Sequence, residues 1–173
     1  MFRLANHPID PAPLRRELAS EDCGGFVFFE GRVRDHHEGR EVTGLYYEAY
    51  RELAEKEGCR LVREIALKHG VRAAAMHATG GLVPGDLAVW VGAAAAHREE
   101  AFVACRELID AIKARVPIWK RESYVGGSSG WVEGCACAAG HGDGRRTPSS
   151  MTSGIPTATT SSAAADSGRS TTS

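Results

Sequence analysis

An α+β domain with mainly antiparallel sheets and two long helices is what this 173-residue sequence predicts, on three observations. Two stretches, Arg51 to His69 and His97 to about Arg115, repeat apolar residues at helical spacing. Around them lie short apolar or alternating runs of strand length. Glycine- and proline-bearing turns punctuate those runs, so helices and strands fall in mixed order and neither class dominates.

In chain order, Asp10 before Pro11 reads as a helix N-cap with proline in the first turn, giving a short helix to about Ala19. Gly24-Gly25 release a strand from Phe26 to Arg34, whose Phe-Val-Phe-Phe run suggests burial on both faces. A polar loop, Asp35 to Glu41, leads into a second strand, Val42 to Ala49. So short a connection favours an antiparallel hairpin between the two. The helix Arg51 to His69 carries Leu53, Leu61, Val62, Ile65 and Ala66, and Gly70 closes it. Val71 to Thr79 and Leu87 to Ala95 are strands around Val83-Pro84-Gly85-Asp86, a sequence suited to a type II turn. The helix from His97 presents Ala101, Phe102, Cys105, Leu108, Ile109 and Ile112 as one stripe, and Pro117 bars its continuation. Ile118 to Tyr124 is a strand, Gly126 to Gly130 a loop, and Trp131 to Glu133 a last short strand.

From about Ala136 to Ser173 the chain is mostly Ser, Thr, Ala, Gly and Pro, with no aromatic residue. Nothing there offsets the entropy of ordering it, so residues 135–173 are expected to be a disordered tail on a folded body, residues 1–134. Apolar residues make up 43% of the chain and the formal net charge is −1, which supplies no global field toward nucleic acid or anionic membrane. No apolar run reaches bilayer-spanning length, and none of signal-peptide length precedes Asp10. The five scattered cysteines, Cys23, Cys59, Cys105, Cys135 and Cys137, do not form a disulfide framework. A reducing, cytoplasmic compartment is expected, with Cys59 and Cys105 as small buried apolar groups.

The chemically unusual stretch is Lys113-Ala-Arg-Val-Pro-Ile-Trp-Lys120-Arg121, where basic residues bracket Pro117 and Trp119 at a helix–strand junction. Lys113 sits at the edge of the apolar helix stripe, and strand alternation puts Lys120 on the side of Ile118, away from Trp119 and Arg121. Spacing alone leaves two readings. One is a solvated basic patch that complements the helix dipole; the other is a pair of lysines whose apolar neighbours suit acid–base or nucleophilic work. His97-Arg98 opens the same helix, where free N–H groups favour an anion. Arg98 and Lys113 are roughly 22 Å apart along the axis, so one small ligand cannot touch both within one chain. They serve different sites, or a second subunit brings the two ends together. Arg32, Arg34, His36 and His37 form a further basic cluster. Adjacent histidines on a strand diverge, and Cys135-x-Cys137 with His141 lacks a fourth ligand, so neither makes a strong metal site. No phosphate-loop or nucleophile-elbow spacing occurs.

Phe29-Glu-Gly-Arg-Val-Arg34-Asp-His, Gly81-Leu-Val-Pro-Gly-Asp86, Ala96-His97-Arg98 with Ala101-Phe102, Lys113-x3-Pro117-x-Trp119-Lys120-Arg121-Glu122 and Trp131-Val-Glu133 occur in that order. Over residues 20–134 this set resembles the catalytic, large subunit of molybdopterin synthase. The resemblance implies an α/β hammerhead fold, a homodimer, and a heterotetramer with a small ubiquitin-like sulfur carrier at each far end. It implies two sulfur transfers from the carrier's C-terminal Gly-Gly thiocarboxylate to cyclic pyranopterin monophosphate, making the dithiolene of molybdopterin. Lys113 and Lys120 match the family's two essential lysines. Phe29, Arg34, His97 and Arg98 match positions around the substrate, some donated across the dimer. No metal or redox cofactor is called for, because sulfur arrives already activated as an acyl sulfide. The Ser/Thr-rich tail and the Gly-Cys-Ala-Cys that follows Glu133 depart from the family pattern. Three rival readings remain: a non-catalytic anion-binding homodimer, a zinc module built on the C-terminal Cys and His residues, and a fusion whose tail recruits a partner.

Overall fold

The structure, a computed structural model, describes residues 1–6, 8–127 and 129–132. In order these form β1 (Phe2–Ala5), α1 (Ala12–Leu18), β2 (Gly25–Arg32), β3 (His36–His37), β4 (Arg40–Ala49) and α2 (Arg51–His69). There follow β5 (Arg72–Ala78), β6 (Gly80–Leu82), β7 (Leu87–Ala95), α3 (Arg98–Arg115), β8 (Ile118–Tyr124) and β9 (Ser129–Val132). The α+β class holds, with α2 and α3 as the long helices and mostly antiparallel pairing.

Local chemistry sets the ends of these elements. The Asp10 carboxylate accepts the Ala12 backbone N–H at 3.0 Å, satisfying an orphan donor of α1, while Pro11 stands one position ahead of the helix. Gly70 closes α2 in the left-handed region at φ 64°, and its N–H bonds the Ala66 carbonyl. Val116 is extended, as a residue before proline must be, so α3 stops at Arg115 and the chain re-enters a sheet at Ile118. Gly85 supplies the positive φ of 95° that the Pro84-Gly85 turn needs, and the Asp86 N–H closes that turn on the Val83 carbonyl at 3.0 Å.

The first sheet runs β1-β5-β7-β2, with β1 parallel to β5 and the other pairs antiparallel. The second runs β3-β4-β8-β9, with β6 also paired to β4. Every residue of β7 is buried because both faces of the first sheet are covered. Val89, Val91, Ala93 and Ala95 face a core shared with α2 and α3, including Leu61, Ile65, Leu108 and Ile112. Ala88 and Trp90 face a second core with Leu14 and Leu18 of α1 and with Leu45 and Leu82 of the other sheet.

α2 lies so close to β1 that a Cβ added at Gly58 would overlap the Phe2 ring, itself 3% exposed. Gly58→Ala is therefore expected to cost about 1–3 kcal/mol by overpacking, read as a lower urea midpoint with an unchanged slope.

Several expectations are corrected. The strand from Phe26 does not form a hairpin with Val42–Ala49: β2 pairs with β7 in the first sheet, and β4 lies in the second. The reversal is made instead by His36–His37 on Arg40–Glu41, around Glu38 and Gly39 at φ 50° and 74°, a two-residue turn whose twist suits a hairpin. The phenylalanine run is not buried on both faces; Phe26, Phe28 and Phe29 are each about two-fifths exposed. Leu53 and Phe102 likewise face outward rather than joining the stripes of their helices. Cys59 is exposed, not buried, whereas Cys105 is buried as expected, and burial pushes its thiol up to about 11. The sequence reading also lacked β1, β3 and β6, and the last strand begins at Ser129. Glu133, Cys135, Cys137, His141 and the expected tail lie outside the described residues.

Candidate active site

Pro117 turns the chain so that the end of α3 and the start of β8 form two walls of one cavity of about 630 Å³. Lys113 lines it from α3, and Ile118, Lys120 and Glu122 line it from β8. Trp119 and Arg121 point the other way, as alternation requires; the Arg121 guanidinium lies 5.4 Å from the Tyr46 and Trp131 ring centroids. β2 supplies Phe29 and Arg32, the loop after it Arg34, β3 His36 and His37, and β5 His77. The two lysines, seven positions apart in sequence, thus open on one space together with Phe29 and Arg34.

The charges in this space are unequally matched. Lys120 donates to Glu122 Oε1 at 2.9 Å, and Glu122 Oε2 receives the Tyr124 hydroxyl at 2.6 Å and faces His37 Nδ1 at 2.7 Å. Burial alone would raise the Glu122 carboxyl, but the Tyr124 and Lys120 hydrogen bonds, the Lys120 charge and His37 outweigh it and hold it below the ordinary range. Lys120 is thereby fixed in direction by an ionised carboxylate that is 4% exposed. Arg32 is matched by Glu30 at 2.8 Å and also donates to the Gly85 carbonyl. Lys113 and Arg34 make no ion pair among the described residues; the Lys113 ammonium lies 5.9 Å from the Phe29 ring centroid. The cavity therefore carries positive charge without a counter-ion, although the whole chain is near neutral.

His77 has its pKa lowered from 6.5 to about 4, first by burial, against the pull of its bond to the Ala78 carbonyl, with the Lys113 charge adding to the depression. The folded state thus resists a proton that the unfolded chain accepts. Stability is unaffected by this group above pH 6.5, falls as pH drops through 6.5, and stops falling below about 4. About 3 kcal/mol is expected to be lost over that window, and His77→Gln should flatten that part of a plot of urea-derived stability against pH.

His97 and Arg98 are exposed at the opposite end of α3 and do not line this cavity. The start of α3 packs so closely on β2 that a Cβ at Gly25 would meet the Arg98 Cα at 2.8 Å. One chain brings together four of the six sequence candidates, Lys113, Lys120, Arg34 and Phe29, and leaves the other two at a distance. The sequence reading placed His37 in a basic cluster without a role, gave Glu122 no role, and missed Tyr124 and His77. Glu122 was accessible in principle, since it shares a strand face with Lys120; His77 had no local signal. No group of three or more metal-ligating side chains occurs among the described residues.

Known proteins resemble this chain over most of its length. The family model described as "MoaE protein" matches residues 4–115, a span that includes Phe29, Arg34, His97, Arg98 and Lys113. The molybdopterin synthase catalytic subunit of Thermoplasma volcanium is 42% identical over 124 residues, covering 71% of this chain and 90% of the relative. The crystal structure of molybdopterin synthase from Staphylococcus aureus is similar with a TM-score of 0.71 and 34% identity, over 75% of this chain and 94% of that one. The complex of subunits 1 and 2 of molybdopterin-converting factor from Helicobacter pylori shares the fold, with a TM-score of 0.61 at 21% identity over 70% of this chain and 83% of that one.

Proposed function

The chain belongs to the MoaE protein family, and on that premise we propose that it is the sulfur-transferring catalytic subunit of a molybdopterin synthase. Its sulfur donor in this reading is the C-terminal thiocarboxylate of a small ubiquitin-like carrier, and its acceptor is cyclic pyranopterin monophosphate. The observation that carries the reading is the convergence of Lys113, Lys120 and Arg34 on one cavity whose positive charge is only partly matched. Both reactants are anions, and such a cavity concentrates them and stabilises charge that develops as they react.

In the proposed chemistry, Lys120 is aimed by Glu122 and polarises the thiocarboxylate while its sulfur attacks an oxygenated carbon of the pterin side chain: a carbon–sulfur bond forms as that carbon's bond to oxygen breaks, and the oxygen leaves as water or as a phosphate oxygen. Water then cleaves the acyl–sulfur bond, which leaves sulfur on the pterin and returns the carrier as a carboxylate. Lys113, beside the Phe29 ring, moves the proton or holds the intermediate. Arg34 binds phosphate or pterin. His97 and Arg98 serve the same ligand from a second copy of the chain. An apolar face supports that pairing: Phe28 on β2 and Phe102 and Val103 on α3 are 45%, 60% and 47% exposed and lie side by side. The catalytic domain in this reading is residues 1–134, and the enzyme works in the cytoplasm. No helix among the described residues is long and apolar enough to cross a membrane.

Reconstitution with thiocarboxylated carrier and cyclic pyranopterin monophosphate, scored for dithiolene product, tests the proposal. Product above the carrier-free control is expected. Ligand binding without turnover would replace the reading with a non-catalytic anion-binding one.

A further inference from the structure

His77 is a buried titratable group in the cavity that the sulfur-transfer chemistry leaves unused. It stands on β5 opposite Val89 of β7, on the sheet face of Ala73 and Ala75. Its Nδ1 lies 2.7 Å from the Ala78 carbonyl oxygen. A carbonyl only accepts, so Nδ1 carries the ring hydrogen and Nε2 keeps its lone pair. The Tyr47 ring meets the imidazole edge-on, with centroids 4.7 Å apart, and fixes its plane. Nε2 has no hydrogen-bond partner among the described residues.

His36 and His37 also line the cavity, but their Nδ1 atoms sit 2.6 and 2.7 Å from the Asp35 and Glu122 carboxylates, whose charge repels an anion, whereas the His77 ring bonds a neutral carbonyl. Lys113 and Arg34 are donors only. Glu30 and Glu122 accept, but both are engaged by cations, and their negative charge repels an anion. An anion drawn in by Lys113 and Arg34 that also carries an N–H or O–H needs an uncharged acceptor close to those cations. We propose that His77 Nε2 accepts a hydrogen bond from such an N–H or O–H, making His77 a ligand-binding residue of the cavity. Burial and the nearby Lys113 charge keep the ring unprotonated at neutral pH, so the acceptor stays open. The inference rests on the sulfur-transfer reading for the ligand's identity. The N–H could belong to the pterin ring or to the backbone of the carrier's terminal Gly-Gly.

Two substitutions separate this role from a structural one. In His77→Asn the amide nitrogen can still donate to the Ala78 carbonyl, but nothing reaches the place of Nε2. In His77→Gln the longer side chain restores an acceptor there. The full chain is titrated calorimetrically with three probes: cyclic pyranopterin monophosphate, the small subunit ending in Gly-Gly carboxylate, and inorganic sulfate, an anion with no N–H or O–H at neutral pH. His77→Asn is expected to weaken one of the first two by about five- to tenfold, the effect of one lost hydrogen bond, and to leave sulfate unchanged. His77→Gln should recover the loss. Which probe is affected assigns the N–H to pterin or peptide. Equal affinities for wild type and His77→Asn overturn the inference alone, as does a loss that includes sulfate or that His77→Gln fails to recover. A wild-type protein that binds neither of the first two probes overturns both the inference and the sulfur-transfer reading.

Discussion

Lys113→Ala and Lys120→Ala should each lower dithiolene formation by about 10²–10⁴-fold, the range associated with a positioned acid–base group. Neither change should unfold the protein. Lys113 is exposed at the last turn of α3 and makes no ion pair among the described residues, so its removal leaves no buried partner stranded. Lys120 is more enclosed, but Glu122 keeps the Tyr124 hydroxyl and His37 as partners when the ammonium is gone. The cost there is about 1–2 kcal/mol, one charge-assisted hydrogen bond, and appears as a modest fall in the urea midpoint. Single-turnover assays with thiocarboxylated carrier, paired with thermal unfolding, separate the two effects. A variant that folds normally and keeps more than about a tenth of the wild-type rate removes its lysine from the chemistry.

That pair was legible because it depends on local rules alone. Pro117 ends a helix, alternation begins at Ile118, and the two rules together fix where Lys113 and Lys120 face. Glu122 follows from the same alternation once Lys120 is placed. What was not legible is pairing over long sequence distance. The Phe26–Arg32 strand has a partner nearby in sequence and another some sixty residues on; it takes the second, β7, while the edges of β4 are filled by β8 on one side and by β3 and β6 on the other. The short β1 is invisible for the same reason, since it exists by its parallel pairing with β5. Nor can apolar spacing distinguish a side chain packed in the core from one left on an open face. Phe28 and Phe102 obey the same patterns as Val91 and Leu108, yet they lie outside the core. His77 reaches the cavity only because β5, β2, β8 and the end of α3 meet there.

Mixed dimers built from one Arg98→Ala chain and one Lys113→Ala chain should be clearly more active than either parent dimer. The helix that carries both residues is rigid, and its two ends lie roughly 22 Å apart, so no small substrate spans them within one protomer. On the proposed reading Arg98 assists the cavity from a second copy, with the start of α3 of one chain beside the cavity of the other. Each parent homodimer then has two defective sites. In the mixed dimer one site collects both changes, while the other is assembled from an intact Lys113 and an intact Arg98. Purified through two different affinity tags, the mixed dimer should show about half the wild-type rate per protomer, since one of two symmetry-related sites is whole. The Lys113→Ala parent should stay near a hundredth or below, and the Arg98→Ala parent should be reduced about tenfold or more through loss of a charged phosphate contact. If Arg98 acted within its own chain, the mixed dimer would instead contain two singly defective sites and run at the average of the parents. A rate well above that average therefore establishes shared sites, and a rate equal to it shows that Arg98 serves its own protomer.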